Sequence, residues 1–250
     1  MRPRLSGYVL RARVTPFVIL FLERDGSTYL TSLLDAHPEI VAAYERFAVL
    51  RAEGATPAAQ LDWARAYLTP PLIGRARAIG FKTKLVDVLD PDGFARLLQD
   101  RDCRILQMSR RNHVKAVVSR INALRLHEAT GNWNLYREAD RLPPLEVDPT
   151  QFAEYLCERR RADAELQGYV DALGLPTLRL EYEDLLRDRS GLLRAVLEFL
   201  RVRPLELDGR PLKNTSDDLR QAVANFDALR AAYVGTGYEA MFDERIDPTG

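Results

Sequence analysis

A strand-length apolar run that passes through a short glycine-bearing loop into a helix restricts this chain more than any other feature. In residues 15–37, TPFVILFLERDGSTYLTSLLDAH, Phe17 to Leu22 are uninterruptedly apolar and Glu23 to Ser27 polar. From Thr28 to Asp35 apolar residues return at helical spacing. A helix that starts directly after a buried strand aims unpaired backbone N–H groups and a positive dipole end at the loop. Gly26 lets an anion come close to the backbone, and Arg24, Ser27 and Thr28 add a cation and two hydroxyls. The pattern is a phosphate-type cradle. It is not the nucleotide triphosphatase loop, which needs Lys-Ser/Thr after a four-residue spacer.

At 250 residues and 46% apolar, the chain can bury one large core, and a single α/β domain over residues 1–250 is the expectation. Its formal charge of zero gives no general affinity for nucleic acid or membrane surfaces. Cys103 and Cys157 are far apart and the three histidines show no i, i+4 pairing, so neither a disulfide framework nor a metal site is expected. Without a run of membrane-spanning length or a cleavable leader, the chain reads as cytoplasmic.

Along the chain, His37-Pro38 is expected to end the first helix, with His37 as its cap. Residues 40–47, IVAAYERF, return toward the cradle and place Glu45 between Tyr44 and Phe47, where partial burial would make a usable base. The alternative is a surface Glu45 paired with Arg46. Residues 56–68 read as an amphipathic helix and residues 78–86 as a second strand whose alternation puts Lys82 and Lys84 on one face. Only four of the 36 basic residues are lysine: Lys82, Lys84, Lys115 and Lys213. In an arginine-rich chain these point charges mark places where single anionic oxygens are to be met.

Residues 104–109 form a third strand that leads into RRNHVKAVVSRINALRLH, residues 110–127. Val114, Val117, Val118, Ile121 and Leu124 make its buried stripe, while Arg111, Lys115 and Ser119 stack on another face with no glutamate between 110 and 127 to answer the cations. Residues 148–173 read as one long helix stopped by Gly174, with Glu158 to Arg161 as a solvated face. Residues 178–182 form a fourth strand, 191–200 a helix, and 212–230 an amphipathic helix with a basic, hydroxyl-rich lead-in.

The loop Arg24, Asp25, Gly26, Ser27, Thr28 resembles the 5′-phosphosulfate loop of sulfotransferases, enzymes that use 3′-phosphoadenosine 5′-phosphosulfate (PAPS) as donor. Asp25 departs from that pattern, since a carboxylate facing an anion repels it. Arg111, with Ser119 eight residues later, resembles the family's 3′-phosphate element, and Thr130 to Asn134 resembles a Thr-Gly-x-Trp piece of the trehalose-sulfating branch. The resemblance implies a three-layer, P-loop-like α/β fold with a mostly parallel central sheet flanked by helices. It places Tyr29 and Tyr182 near the adenine, and Lys213, Asn214 and Thr215 in a segment closing over the donor. It further implies PAPS as donor, 3′-phosphoadenosine 5′-phosphate (PAP) as product, no metal, and a small-molecule or carbohydrate acceptor near Glu45, Phe47, Lys84 and Trp133. Arg24 and Lys82 would stabilise the transferring group. Glu45 would be the base, because the cytosolic branch's histidine is replaced by Lys84, which would need a strongly depressed pKa. The oligomeric state is open to a monomer or a homo-oligomer. A P-loop-type kinase or nucleotide hydrolase, and a noncatalytic PAPS- or PAP-binding protein, are the alternatives.

Overall fold

The structure, a computed structural model, describes residues 14–69, 75–207 and 215–246. Its strands are β1 (Thr15–Phe21), β2 (Ile40–Ala43), β3 (Ala78–Thr83), β4 (Arg104–Ser109) and β5 (Thr177–Glu181). They form a sheet in the order β2-β3-β1-β4-β5, and every neighbouring pair is parallel. The helices are α1 (Ser27–Asp35), α2 (Arg46–Ala52), α3 (Pro57–Tyr67), α4 (Pro91–Asp100), α5 (His113–Thr130) and α6 (Pro149–Leu173). They continue with α7 (Tyr182–Arg187), α8 (Arg189–Phe199), α9 (Leu219–Ala222), α10 (Phe226–Ala231) and α11 (Glu239–Asp243).

The unbroken apolar run of β1 is explained by burial on both faces, as central strands of a covered parallel sheet require. Phe17, Ile19 and Phe21 pack with Leu30, Leu33 and Leu34 of α1 and with Leu193, Val196 and Leu197 of α8. Val18 and Leu20 point the other way, into a cluster with Phe81, Phe94, Leu97, Leu98, Leu166 and Val170. The result is helix, sheet, helix: a three-layer α/β fold. A third cluster joins Val114, Val117, Val118 and Ile121 of α5 to Phe152 and Leu156 of α6 and to Leu219, Phe226 and Phe242 near the C-terminus. Because all strands are parallel, the loops after β1, β3 and β4 open on one sheet edge, with β1 at the centre.

The long helix has the expected ends: the Asp148 carboxylate accepts the Gln151 N–H, Pro149 opens the first turn, and Gly174 stops it at φ 62°. Other bounds differ. Residues 40–43 are an edge strand, and the strand at Ala78 stops at Thr83, where Lys84 begins a tight turn. Helix α4 was not anticipated, although Asp90-Pro91 followed by Phe94, Leu97 and Leu98 carries a cap and an apolar stripe. Asn112 caps α5, which therefore starts at His113, and Leu126, not Leu124, completes its buried stripe. His37 does not cap α1 with its ring, which instead accepts the Glu39 N–H and meets the Arg203 carbonyl at 3.1 Å. The expected helix over 212–230 is two short ones where it is described. Between them Ala224 N–H bonds to the Leu145 carbonyl, and Leu145 N–H to that of Ala222, both at 2.8 Å. Among the described residues, no helix is long and apolar enough to cross a membrane.

Candidate active site

Everything in the site starts from the turn between β1 and α1. Arg24 and Gly26 adopt φ values of 68° and 83°. At Gly26 a side chain is excluded twice over, because a Cβ there would also lie 2.2 Å from the Tyr182 ring. The turn delivers the hydroxyls of Ser27 and Thr28 to the first turn of α1, whose N–H groups lead into the loop. Lys82, from the adjacent β3, reaches the same point: its side chain is 1% exposed, and Nζ donates to Thr28 Oγ1 at 2.7 Å and Ser27 Oγ at 3.4 Å.

Glu45, at the end of the β2 segment, completes this cluster. Its carboxylate lies 3.0 Å from Lys82 Nζ and 3.5 Å from Lys84 Nζ. Arg46 turns away to Glu53, so the Glu45–Arg46 pair does not form. Burial lowers the Lys82 pKa, and Glu45 opposes that shift. Burial also works to lower Lys84, but Asp87 and Glu45 outweigh it and the net shift is upward. Lys84 thus moves away from, not toward, what a basic catalyst needs.

The second motif meets the first through Arg24, whose Nε donates to Ser119 Oγ at 2.9 Å. The same guanidinium reaches the Trp133 carbonyl at 3.4 Å and Asn134 Oδ1 at 3.3 Å, so the Thr130–Asn134 loop adjoins the cradle. The cations of residues 110–127 are answered after all, from other elements. Arg111 pairs with Glu181 and, at 3.7 Å, with Asp184; Lys115 pairs with Asp217 at 3.1 Å. Glu183 is fully buried and accepts the N–H groups of Arg111 and Asn112, fixing the start of α5. Sequence reasoning missed Arg110, which lies over the Tyr182 ring and donates to the Arg24 carbonyl. Its Nε is buried without a hydrogen-bond partner, and burial lowers its pKa, as it does that of Arg24. Glu183 lies 3.9 Å from the Arg110 Nε and offsets part of the charge, and an anion beside the two adjacent guanidinium groups would offset more.

Asp25 takes no part in repulsion. Its carboxylate turns away from the cradle to accept the Leu22 N–H at 2.9 Å and to pair with Arg159, which is therefore buried and not on a solvated face. Burial pushes Asp25 up to about 7, with the guanidinium pulling it down. Other expected site residues lie elsewhere. Phe47 is fully buried among Trp63, Phe81 and Phe94, so it cannot line an acceptor pocket. Tyr29 packs in the α1–α8 core and its hydroxyl accepts from Arg189, so its ring is not open as an adenine platform. Trp133 is half exposed and stacks on His127 at 4.1 Å. Thr215 accepts from Asn122, one turn along α5 from Ser119, and lines a cavity of about 430 Å³ with Arg141, Pro143 and Gln221. Lys213 and Asn214 lie outside the described residues.

Fold and site together define a three-layer α/β protein with a parallel sheet, a tight strand–loop–helix turn on its central strand and a lysine–carboxylate cluster beside it. Over 241 residues the chain is 26% identical to Nodulation protein H of Rhizobium meliloti, covering 91% of this chain and 95% of that protein. To Nodulation protein H of Rhizobium tropici it is 26% identical over 94% of this chain and 96% of that one. Among solved structures it is similar to a sulfotransferase from Alicyclobacillus acidocaldarius, with a TM-score of 0.49 and 17% identity over 92% of this chain and 97% of that one. A sulfotransferase domain from the curacin biosynthetic pathway follows, with a TM-score of 0.44 and 14% identity over 92% and 90% of the two chains. No family model matches the chain.

Proposed function

We propose that the chain is a PAPS-dependent sulfotransferase that moves a sulfuryl group to a hydroxyl of a small-molecule or carbohydrate acceptor. The observation that carries this reading is the position of Lys82, whose buried ammonium touches both the cradle hydroxyl of Thr28 and the carboxylate of Glu45. One cation thereby adjoins the place where negative charge would develop and the group that would accept a proton. The adjacent guanidinium groups of Arg24 and Arg110 fit an anionic nucleotide at the same edge. When bound there, PAPS would supply an activated sulfuryl group whose leaving oxygen is on phosphate.

In this reading Arg24, Ser27, Thr28 and the N–H groups of α1 hold the 5′ end, while Arg111, Ser119 and Arg110 serve the 3′-phosphate. Tyr182, held against Gly26 and Arg110, offers an aromatic wall beside the loop. Lys82 donates to the oxygen that gains charge. Glu45 takes the acceptor's proton, and Lys84 with its upward shift stays protonated as a positioning cation for that carboxylate. Acceptor specificity would come from residues 49–77 and 135–147, of which 70–74 lie outside the described residues. An exposed free Cys157 fits a reducing, cytoplasmic setting.

The noncatalytic alternative arose from Asp25 and Lys84, and the directions both side chains take speak for catalysis. Calorimetric binding of PAP, adenosine 5′-phosphosulfate, magnesium-ATP and ADP tests the donor. Selective PAP binding is expected, and a preference for magnesium-ATP would put the kinase-like reading ahead. Glu45→Gln should keep PAP affinity and lose turnover by roughly 10²- to 10⁴-fold, the usual worth of a general base. Normal turnover in that variant would remove Glu45 from the mechanism.

A further inference from the structure

Resting on the donor site proposed above, the geometry points to Arg159 as a positioning residue for the loop after β1, acting on Arg24 without itself touching the nucleotide. Arg159 stands on the stripe of α6 formed by Phe152, Leu156, Leu166 and Val170, where an apolar residue would suit the core. Its neighbours Glu158, Arg160 and Arg161 face solvent, but its own side chain is 6% exposed. Burying a guanidinium is costly unless all its donors are used. Here each nitrogen is engaged. Nη1 donates to the Glu23 carbonyl at 3.1 Å, Nη2 to Asp25 and Nε to Asp163 at 3.0 Å.

The contacts to Glu23 and Asp25 bracket Arg24. With Asp25 also holding the Leu22 N–H, the residues on both sides of Arg24 are fixed, and Arg24 between them takes a left-handed bend at φ 68°. That bend sends its guanidinium toward Ser119. Asp163 continues the chain of contacts to His113 Nε2 at 3.1 Å, the first residue of α5. One buried arginine on α6 therefore clasps the first anion-binding loop, and its partner carboxylate holds the start of the second motif's helix.

The test separates the two ends of the nucleotide. Affinities for adenosine 3′,5′-bisphosphate and adenosine 3′-monophosphate are measured for wild type, Arg159→Gln and the double variant Asp25→Asn/Arg159→Gln. The double variant leaves no buried charge unpaired, so it decides the matter even where the single variant does not fold. The expected result is a fall of about tenfold in the bisphosphate-to-monophosphate affinity ratio in both variants, the scale of a mispositioned charge-assisted contact, with monophosphate affinity unchanged. A wild-type ratio in the double variant overturns the assignment, since the arginine would then only neutralise Asp25. An equal loss of both affinities overturns it too, because the effect would be a general loosening of the fold. A wild-type protein that binds the two ligands equally, or neither, brings down the donor-site reading itself, and the inference with it.

Discussion

The connections after β1 and β4 leave neighbouring parallel strands and both run into helices, yet they are ordered by different means. The first, residues 22–26, is pinned by a buried ion pair with α6, 134 residues away, and by the fit of Gly26 against Tyr182. The second, residues 110–112, is pinned by the Glu183 carboxylate, which accepts two of its N–H groups at 3.0 and 3.1 Å, and by the Asn112 cap. The first loop keeps its cation, Arg24, inward and turns its carboxylate away. The second leaves Arg111 46% exposed, in surface pairs that a ligand can exchange. An inward cation demands a rigid loop, whereas a cation at the mouth is held only loosely between partners.

The largest effect expected from this contrast comes from Arg159→Ala. It strands Asp25 as a buried carboxylate and should cost about 3–5 kcal/mol in thermal or denaturant unfolding. Adding Asp25→Ala should recover most of that loss. The sign with pH follows from burial, which pushes Asp25 up to about 7 even beside the guanidinium. A folded-state pKa raised above the unfolded one means that the folded form binds the extra proton, so stability falls as pH rises through the window from about 4 to 7. Without Arg159 the Asp25 pKa rises further, so the variant's deficit should be greater at pH 8 than at pH 6. An equal deficit at both values would show that Asp25 is not the stranded group.

A smaller effect is expected at the second connection. Glu183→Gln keeps the shape but replaces a charged acceptor of two N–H groups by a neutral one, at a cost of about 2 kcal/mol. Unfolding should show that loss. A stability equal to wild type would mean that the N–H groups of Arg111 and Asn112 are satisfied without the charge.

The contrast also explains what could be read from sequence. The strand–loop–helix after β1, the strand at 104–109 and the ends of α6 were legible, because apolar period, glycine and cap residues are local signals. The meeting of Arg24 with Ser119 was foreshadowed by the two motifs, each written within a dozen residues. What was not legible came from partners distant in sequence. Arg159 looked like one of three solvated arginines because Asp25 lies 134 residues before it. Phe47 looked like a pocket residue because its aromatic neighbours come from α3, β3 and α4. Arg110 and Arg111 are adjacent and chemically identical, and only the position of Tyr182 and Glu181 decides which turns inward. A buried arginine at a stripe position, 152, 156, 159 and 166, was the one available clue.

The smallest change in stability is expected at Arg111. Its partners Glu181 and Asp184 are 37% and 52% exposed, and pairs of that kind contribute little, so Arg111→Ala should alter unfolding by no more than about 0.5 kcal/mol. Its effect on binding should be larger, because the proposed ligand replaces those carboxylates with a phosphate whose charge the guanidinium matches in a fork. Adenosine 3′,5′-bisphosphate should bind about tenfold more weakly, and adenosine 5′-monophosphate as before, the difference reading the 3′-phosphate alone. A parallel variant, Arg110→Lys, keeps a buried cation over Tyr182 and tests which of the adjacent arginines faces that phosphate. Loss of 3′-phosphate discrimination in Arg110→Lys but not in Arg111→Ala would move the second anion site from the mouth to the interior. Both connections would then depend on inward cations, and the contrast between them would fail.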